Sequence, residues 1–174
     1  MLRAAGIVVA LIVLSACQQN TPNAVASPSP VIAAGTWTQN LAFSGDLAGT
    51  MTAIVADSGA QKNECSGVKA RSGQVWGDTF YGTIDTSGYI WEVNFSIPAF
   101  RGPGPYSAPS AKVVVQSSAD PTDLTKTWSS EGGDNKVTFS LNGDLQSGSV
   151  TADLTNAQTG KTGLHVTGEW HCRG

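Results

Sequence analysis

The sequence predicts an all-β protein, an antiparallel β-sandwich of about eight to ten short strands, and three observations carry that expectation. Apolar and polar residues alternate with a period of two in run after run, the pattern of half-buried antiparallel strands. Turn signals separate the runs: Ser44-Gly45-Asp46, Asp85-Thr86-Ser87-Gly88, Gly132-Gly133-Asp134-Asn135, Asn142-Gly143-Asp144 and Thr159-Gly160-Lys161. No window carries a capped apolar stripe of helical period.

The runs follow in order. Trp37, Leu41 and Phe43 share a parity against Thr38 and Asn40. Leu47, Met51, Ala53 and Val55 alternate with Thr50 and Thr52. Trp76, Phe80 and Ile84 share a face. Tyr89, Trp91, Val93, Phe95 and Ile97 form the clearest stripe, and its aromatic members are expected in the core. Val137, Phe139 and Leu141 make a further strand, as do Val150, Ala152 and Leu154. The last strand sets Leu164, Val166, Trp170 and Cys172 against His165, Thr167, Glu169 and His171. Phe43-Ser44-Gly45-Asp46-Leu47 is echoed by Leu141-Asn142-Gly143-Asp144-Leu145, which reads as two similar hairpin turns or a duplicated half-domain.

Only 13% of the 174 residues are charged, and Gly reaches 20. That mixture suits an extracytoplasmic β protein whose polar faces use hydroxyls, and it is too apolar and too patterned for disorder. Formal net charge is −3, with no basic run to follow a phosphate backbone, so nucleic acid is not an expected partner.

The N-terminus decides the address. Met1-Leu2-Arg3 precedes an apolar stretch from Ala4 to Leu14, then Ser15, Ala16 and Cys17. A positive start, a short apolar stretch and small residues describe a secretory signal peptide. The stretch falls short of the about 20 residues a transmembrane helix needs. Leu14-Ser15-Ala16-Cys17 resembles the lipobox of bacterial lipoproteins at all four positions. The resemblance implies lipid on the Cys17 thiol, cleavage before it, and acylation of the new amino end. Several acyl chains on one residue give stable anchoring. It also implies an envelope location, on the outer face of the plasma membrane or at the outer membrane; Gln18, which is not the aspartate that marks inner-membrane retention in many two-membrane bacteria, permits the latter. Residues 1–16 are then signal, 17–35 a lipidated start and Pro-rich tether, and 36–174 the folded domain. With Cys17 on the lipid, Cys65 and Cys172 remain as an even pair in an oxidising compartment, which reads as one disulfide. The mature part is also similar in overall layout to the small β-rich lipoprotein antigens of actinobacteria. Their last strand ends near a cysteine, as at Glu169-Trp170-His171-Cys172. No function is carried across on that layout.

Chemical signatures are sparse. Asp85-Thr86-Ser87-Gly88 has Ser where the turn of an aspartic protease has its glycine, and no second copy supplies the partner carboxylate. His165 and His171 lie about 20 Å apart along a strand, too far to share a metal. Glu169 and His171 form at most a weak acid–base pair. No Gly-x-Ser-x-Gly elbow or His-Glu-x-x-His helix occurs. No enzymatic activity, cofactor or metal is therefore expected, an unrecognised hydrolase site being the remote alternative.

Binding candidates come from the aromatics. Trp128 has Lys126 and Ser130 in place of apolar partners and is expected to be exposed, and Tyr81 lies on the polar parity of its strand. Phe100, Arg101 and Tyr106 sit on the Pro/Gly frame from Pro98 to Ser110, where they either bind a ligand or plug one end of the domain. The expected function is a monomeric, lipid-anchored binding module for a glycan, envelope polymer or envelope protein. The alternative is a structural surface lipoprotein with no small ligand. Exposure of Trp128, Tyr106 and Phe100 on one patch would favour the first, and their burial the second.

Overall fold

In the computed structural model the described residues are 37–52, 70–132 and 135–172. The signal and tether (1–35), Cys17 and Cys65 lie outside them, so neither the lipid anchor nor the disulfide is visible. Ten strands follow one another: β1 Trp37–Gly45, β2 Gly49–Met51, β3 Trp76–Gly82, β4 Trp91–Ile97, β5 Gly104–Ser107, β6 Lys112–Ser117, β7 Thr127–Ser129, β8 Val137–Leu141, β9 Ser147–Asn156 and β10 Thr162–Cys172. A 3-10 turn, Leu124–Lys126, precedes β7 and is capped by the Asp123 carboxylate. Among the described residues, no helix is long and apolar enough to cross a membrane.

All ladders are antiparallel, and all ten strands belong to one sheet. The order β2-β1-β10-β9-β7-β6-β4-β3 runs around the wall. β9 is long enough to pair with two strands along one edge, β8 beside its first half and β7 beside its last residues, and β5 extends the sheet from β8. The two ends of the path meet where the Thr50 N–H donates to the Ile84 carbonyl at 3.0 Å. The sheet therefore curls into a nearly closed barrel. The ladder joins all ten strands in one sheet that forks at β9, where β7 and β8 share an edge, so it does not show the expected division into two stacked sheets. Period-two alternation cannot separate the two architectures, since each turns one face of every strand inward.

The interior is continuous and aromatic. Trp170 contacts Trp76, Phe80, Phe95 and Phe139, with ring centroids 4.8–6.5 Å apart. It faces Gly148 across the β9–β10 ladder, where a Cβ would lie 2.7 Å from the indole edge. The glycine makes room for the ring. Both copies of the sequence echo are hairpin turns, β1 to β2 and β8 to β9.

Candidate functional site

Four connections converge at one end of the barrel, because each joins strands whose ends the register places together. They are the turns after β1 (46–48), after β3 (83–90), after β6 (118–126) and after β9 (157–161). Between them lies an open cleft of about 650 Å³.

Its floor is a pair of indoles. Trp91 and Trp128 pack with ring centroids 5.9 Å apart, and both are buried. Asp46 locks the floor: its carboxylate accepts from Trp128 Nε1 at 3.0 Å, and its own N–H donates to the Gly163 carbonyl at 2.8 Å. The wall is Tyr89, a residue 52% exposed. A chain of local hydrogen bonds fixes its position. The Asp85 carboxylate accepts from the Ser87 N–H and hydroxyl, and the Ser87 hydroxyl accepts from the Tyr89 N–H at 3.2 Å. The Lys126 ammonium rests 5.1 Å from the Tyr89 ring centroid, within cation–π range. The rest of the rim is polar: Asp46 and Asp85, Lys126 and Lys161, Asn156, Gln158 and Thr159. Two acids and two bases leave it without a dominant charge. Asn156 Oδ1 accepts from the N–H groups of Gln158 and Thr159, which stiffens the last of the four turns.

Of the residues expected to bind, only Trp128 reaches this cleft, and not as an exposed ring. It is 5% exposed. A three-residue strand has no alternation of its own, and β7 takes its facing from neighbours, with Trp128 registered against Val115 on β6 and Asn156 on β9. Phe100 and Tyr106 lie on the β4–β5 side of the molecule and are buried, at 2% and 8% exposure. Tyr106 donates to the Gly102 carbonyl at 2.5 Å and accepts from the Arg101 N–H at 3.1 Å. Arg101 is exposed, its guanidinium 5.9 Å from the Tyr106 ring centroid. The loop is thus a plug. Tyr81 is half-buried on β3 and lines none of this cleft. Tyr89, expected in the core, is the exposed ring. It precedes β4 by two residues, so the parity of the strand does not extend to it.

Two further arrangements stand outside the cleft. On the outer face, His165 Nδ1 lies 2.8 Å from the Asp153 carboxylate, both partly exposed. Among the described residues, no group of three His, Cys, Asp or Glu could hold a metal. Inside, Asp78 occupies the inward parity of β3 between Trp76 and Phe80. Burial pushes its carboxyl up from 3.8 to about 7, the Trp170 indole N–H offsets part of that, and the Asp144 carboxylate adds to it. Asp78 went unnoticed in the sequence, although a carboxylate in the stripe Trp76-x-Asp78-x-Phe80 breaks the apolar pattern in plain sight.

No known family, curated protein or solved structure matches the chain.

Proposed function

We propose that the chain is a lipid-anchored binding module of a bacterial cell envelope and that its ligand, a neutral glycan, occupies the turn-end cleft. One observation carries the ligand site: an exposed, positioned Tyr89 lines one cleft together with a pair of indoles, within a rim of balanced charge rich in amides and hydroxyls. A sugar presents the matching chemistry, an apolar C–H face for the ring and hydroxyls for the rim, and mouths of β-barrels are recurrent ligand sites. The anchor rests on Leu14-Ser15-Ala16-Cys17, and a Cys65–Cys172 disulfide on the even cysteine pair. The module binds and does not turn its ligand over. Burial of Phe100, Tyr106 and Trp128 favours the second reading, a structural surface lipoprotein, and Tyr89 is the residue that separates the two.

Thermal unfolding of the purified full chain with a panel of neutral envelope and plant glycans provides the test. A glycan at a hundred times its dissociation constant should add about 2.7 kcal/mol and raise the midpoint. Tyr89→Ala should weaken binding about tenfold, or about 1.4 kcal/mol. Its unliganded midpoint should barely move, because the residue is exposed. A panel that shifts nothing would support the structural reading.

A further inference from the structure

Beyond the ligand cleft, the opposite half of the barrel contains a seam with unusual parts. β3 pairs with β4 along one edge only. On its other side Trp76, at the start of β3, donates from Nε1 to the Leu145 carbonyl of the β8–β9 turn at 3.1 Å, while Ile84, just past the end of β3, accepts from the Thr50 N–H. Leu145 has φ 60°, and among the described residues it is the one non-glycine in the left-handed region, so the turn that receives the bond is strained. Asp78, two residues along β3 from Trp76, lies on the inward parity of the strand and is half-buried, with its Oδ2 out of solvent. Its cross-strand partner is Phe95 of β4; the Trp170 indole of β10 favours its ionised form, and the Asp144 carboxylate, exposed on that same turn, opposes it more weakly. Asp78 Oδ2 and Trp170 Nε1 are both buried, and neither completes a hydrogen bond in this geometry. No cation opposes Asp78 among the described residues. Asp144 differs in kind. Burial opposes its charge, but the Gln146 N–H, the Ser147 hydroxyl and N–H, and nearby His171 outweigh that and hold it ionised. Just beyond Trp170 opens a second cleft of about 680 Å³, lined by Gln39, Asn142, Ser147 and His171 among others.

We propose that Asp78 is a proton-operated latch on this seam. With the carboxyl neutral, β3 sits closed against Trp170 and the Trp76–Leu145 bond holds the turn. With the carboxyl ionised, an unpaired charge lies beside the buried Trp170 indole, and β3 and the 142–147 turn to which Trp76 ties it loosen together. Loosening lets water reach Asp78 and widens the cleft beside Trp170. In the loosened state the carboxyl regains its ordinary acidity, so the latch releases as the medium passes from mildly acidic to mildly alkaline.

Hydrogen exchange of the purified full chain at pH 5.5 and 8.0, corrected for intrinsic rates, reads the latch directly. Protection of β3 and of residues 142–147 should fall roughly 10- to 30-fold between the two, the change allowed by a carboxyl held near 7 when closed and near 4 when open. Asp78→Asn should show equal protection at both values. Asp144→Asn removes a nearby but exposed charge and should move the transition only slightly, to lower pH. Trp76→Phe removes the clasp and should expose the same segments at both values. Native protection independent of pH would overturn the proposal. So would an equal fall in Asp78→Asn or, should that variant not fold, an equal fall in Asp78→Ser.

Discussion

Trp170→Ala is expected to cost about 4 kcal/mol of stability, within the roughly 3–5 kcal/mol typical of aromatic truncation in a core. The ring is the hub of the interior: it is 2% exposed and touches four other aromatic rings drawn from β3, β4 and β8. Removing it empties a volume that its neighbours cannot refill. Gly148 opposite has no side chain to move inward, and Phe95 and Phe139 are held in place by their own mutual edge contact. Trp170→Phe should recover part of the loss. Against a total of about 5–15 kcal/mol for an ordinary domain, the alanine variant would be close to unfolded at physiological temperature. Urea unfolding gives the value, and an unchanged denaturant slope would show that only the native packing was altered. A loss below about 1 kcal/mol, the range of surface substitutions, would mean that the ring does not organise the core.

Asp78→Asn is expected to stabilise the protein at pH 8 and to do almost nothing at pH 4. The Asp78 carboxyl is raised in the folded state, to about 7 from an ordinary 3.8. Below pH 4 the group is protonated in folded and unfolded chains alike and contributes no penalty. Between about pH 4 and 7 the unfolded chain releases the proton while the folded chain retains it, so stability falls as pH rises. Above 7 both are ionised, and the penalty reaches a plateau of about 4 kcal/mol at most, at 1.36 kcal/mol for each unit. Asparagine keeps the shape and removes the charge. The difference between variant and native stability, followed from pH 4 to 8, isolates this group from other carboxylates such as Asp144, whose lowered value works in the opposite sense. A difference that stays flat with pH would show that Asp78 is solvated and not buried as described.

The strand pattern was readable where a strand is long enough to set its own parity. Leu164, Val166 and Trp170 turn inward on β10, with His165, Thr167, Glu169 and His171 away from the core, as their alternation predicts. Val137, Phe139 and Leu141 on β8, and Val150, Ala152 and Leu154 on β9, behave likewise. Parity misleads at its edges. Tyr89 continues the stripe of β4 in sequence, but the chain has already turned, and the ring stands in solvent. Trp128 is flanked by Lys126 and Ser130 yet is carried inward by the strands beside it. β5 hides in a run of Pro and Gly, because a four-residue strand with Pro105 shows no alternation.

The candidate site was legible only in fragments. The turns bearing Asp46, Asp85 and Lys161 announce themselves through Gly, Asp and Ser, but their meeting at one end depends on strand order, which composition does not encode. Barrel and sandwich diverge for the same reason: the closing contact, Thr50 to Ile84, joins segments that no local signal relates.

The ligand reading stands on where a glycan lands. The decisive measurement is chemical-shift mapping of the isotope-labelled protein, titrated with the neutral glycan that most raises its unfolding midpoint. Perturbations confined to residues 46–47, 85–91, 125–128 and 156–163, and lost in Tyr89→Ala, would place the sugar among the four converging turns. Perturbations clustered around Trp170 and the 142–147 turn, or on the outer face near His165, would contradict the site.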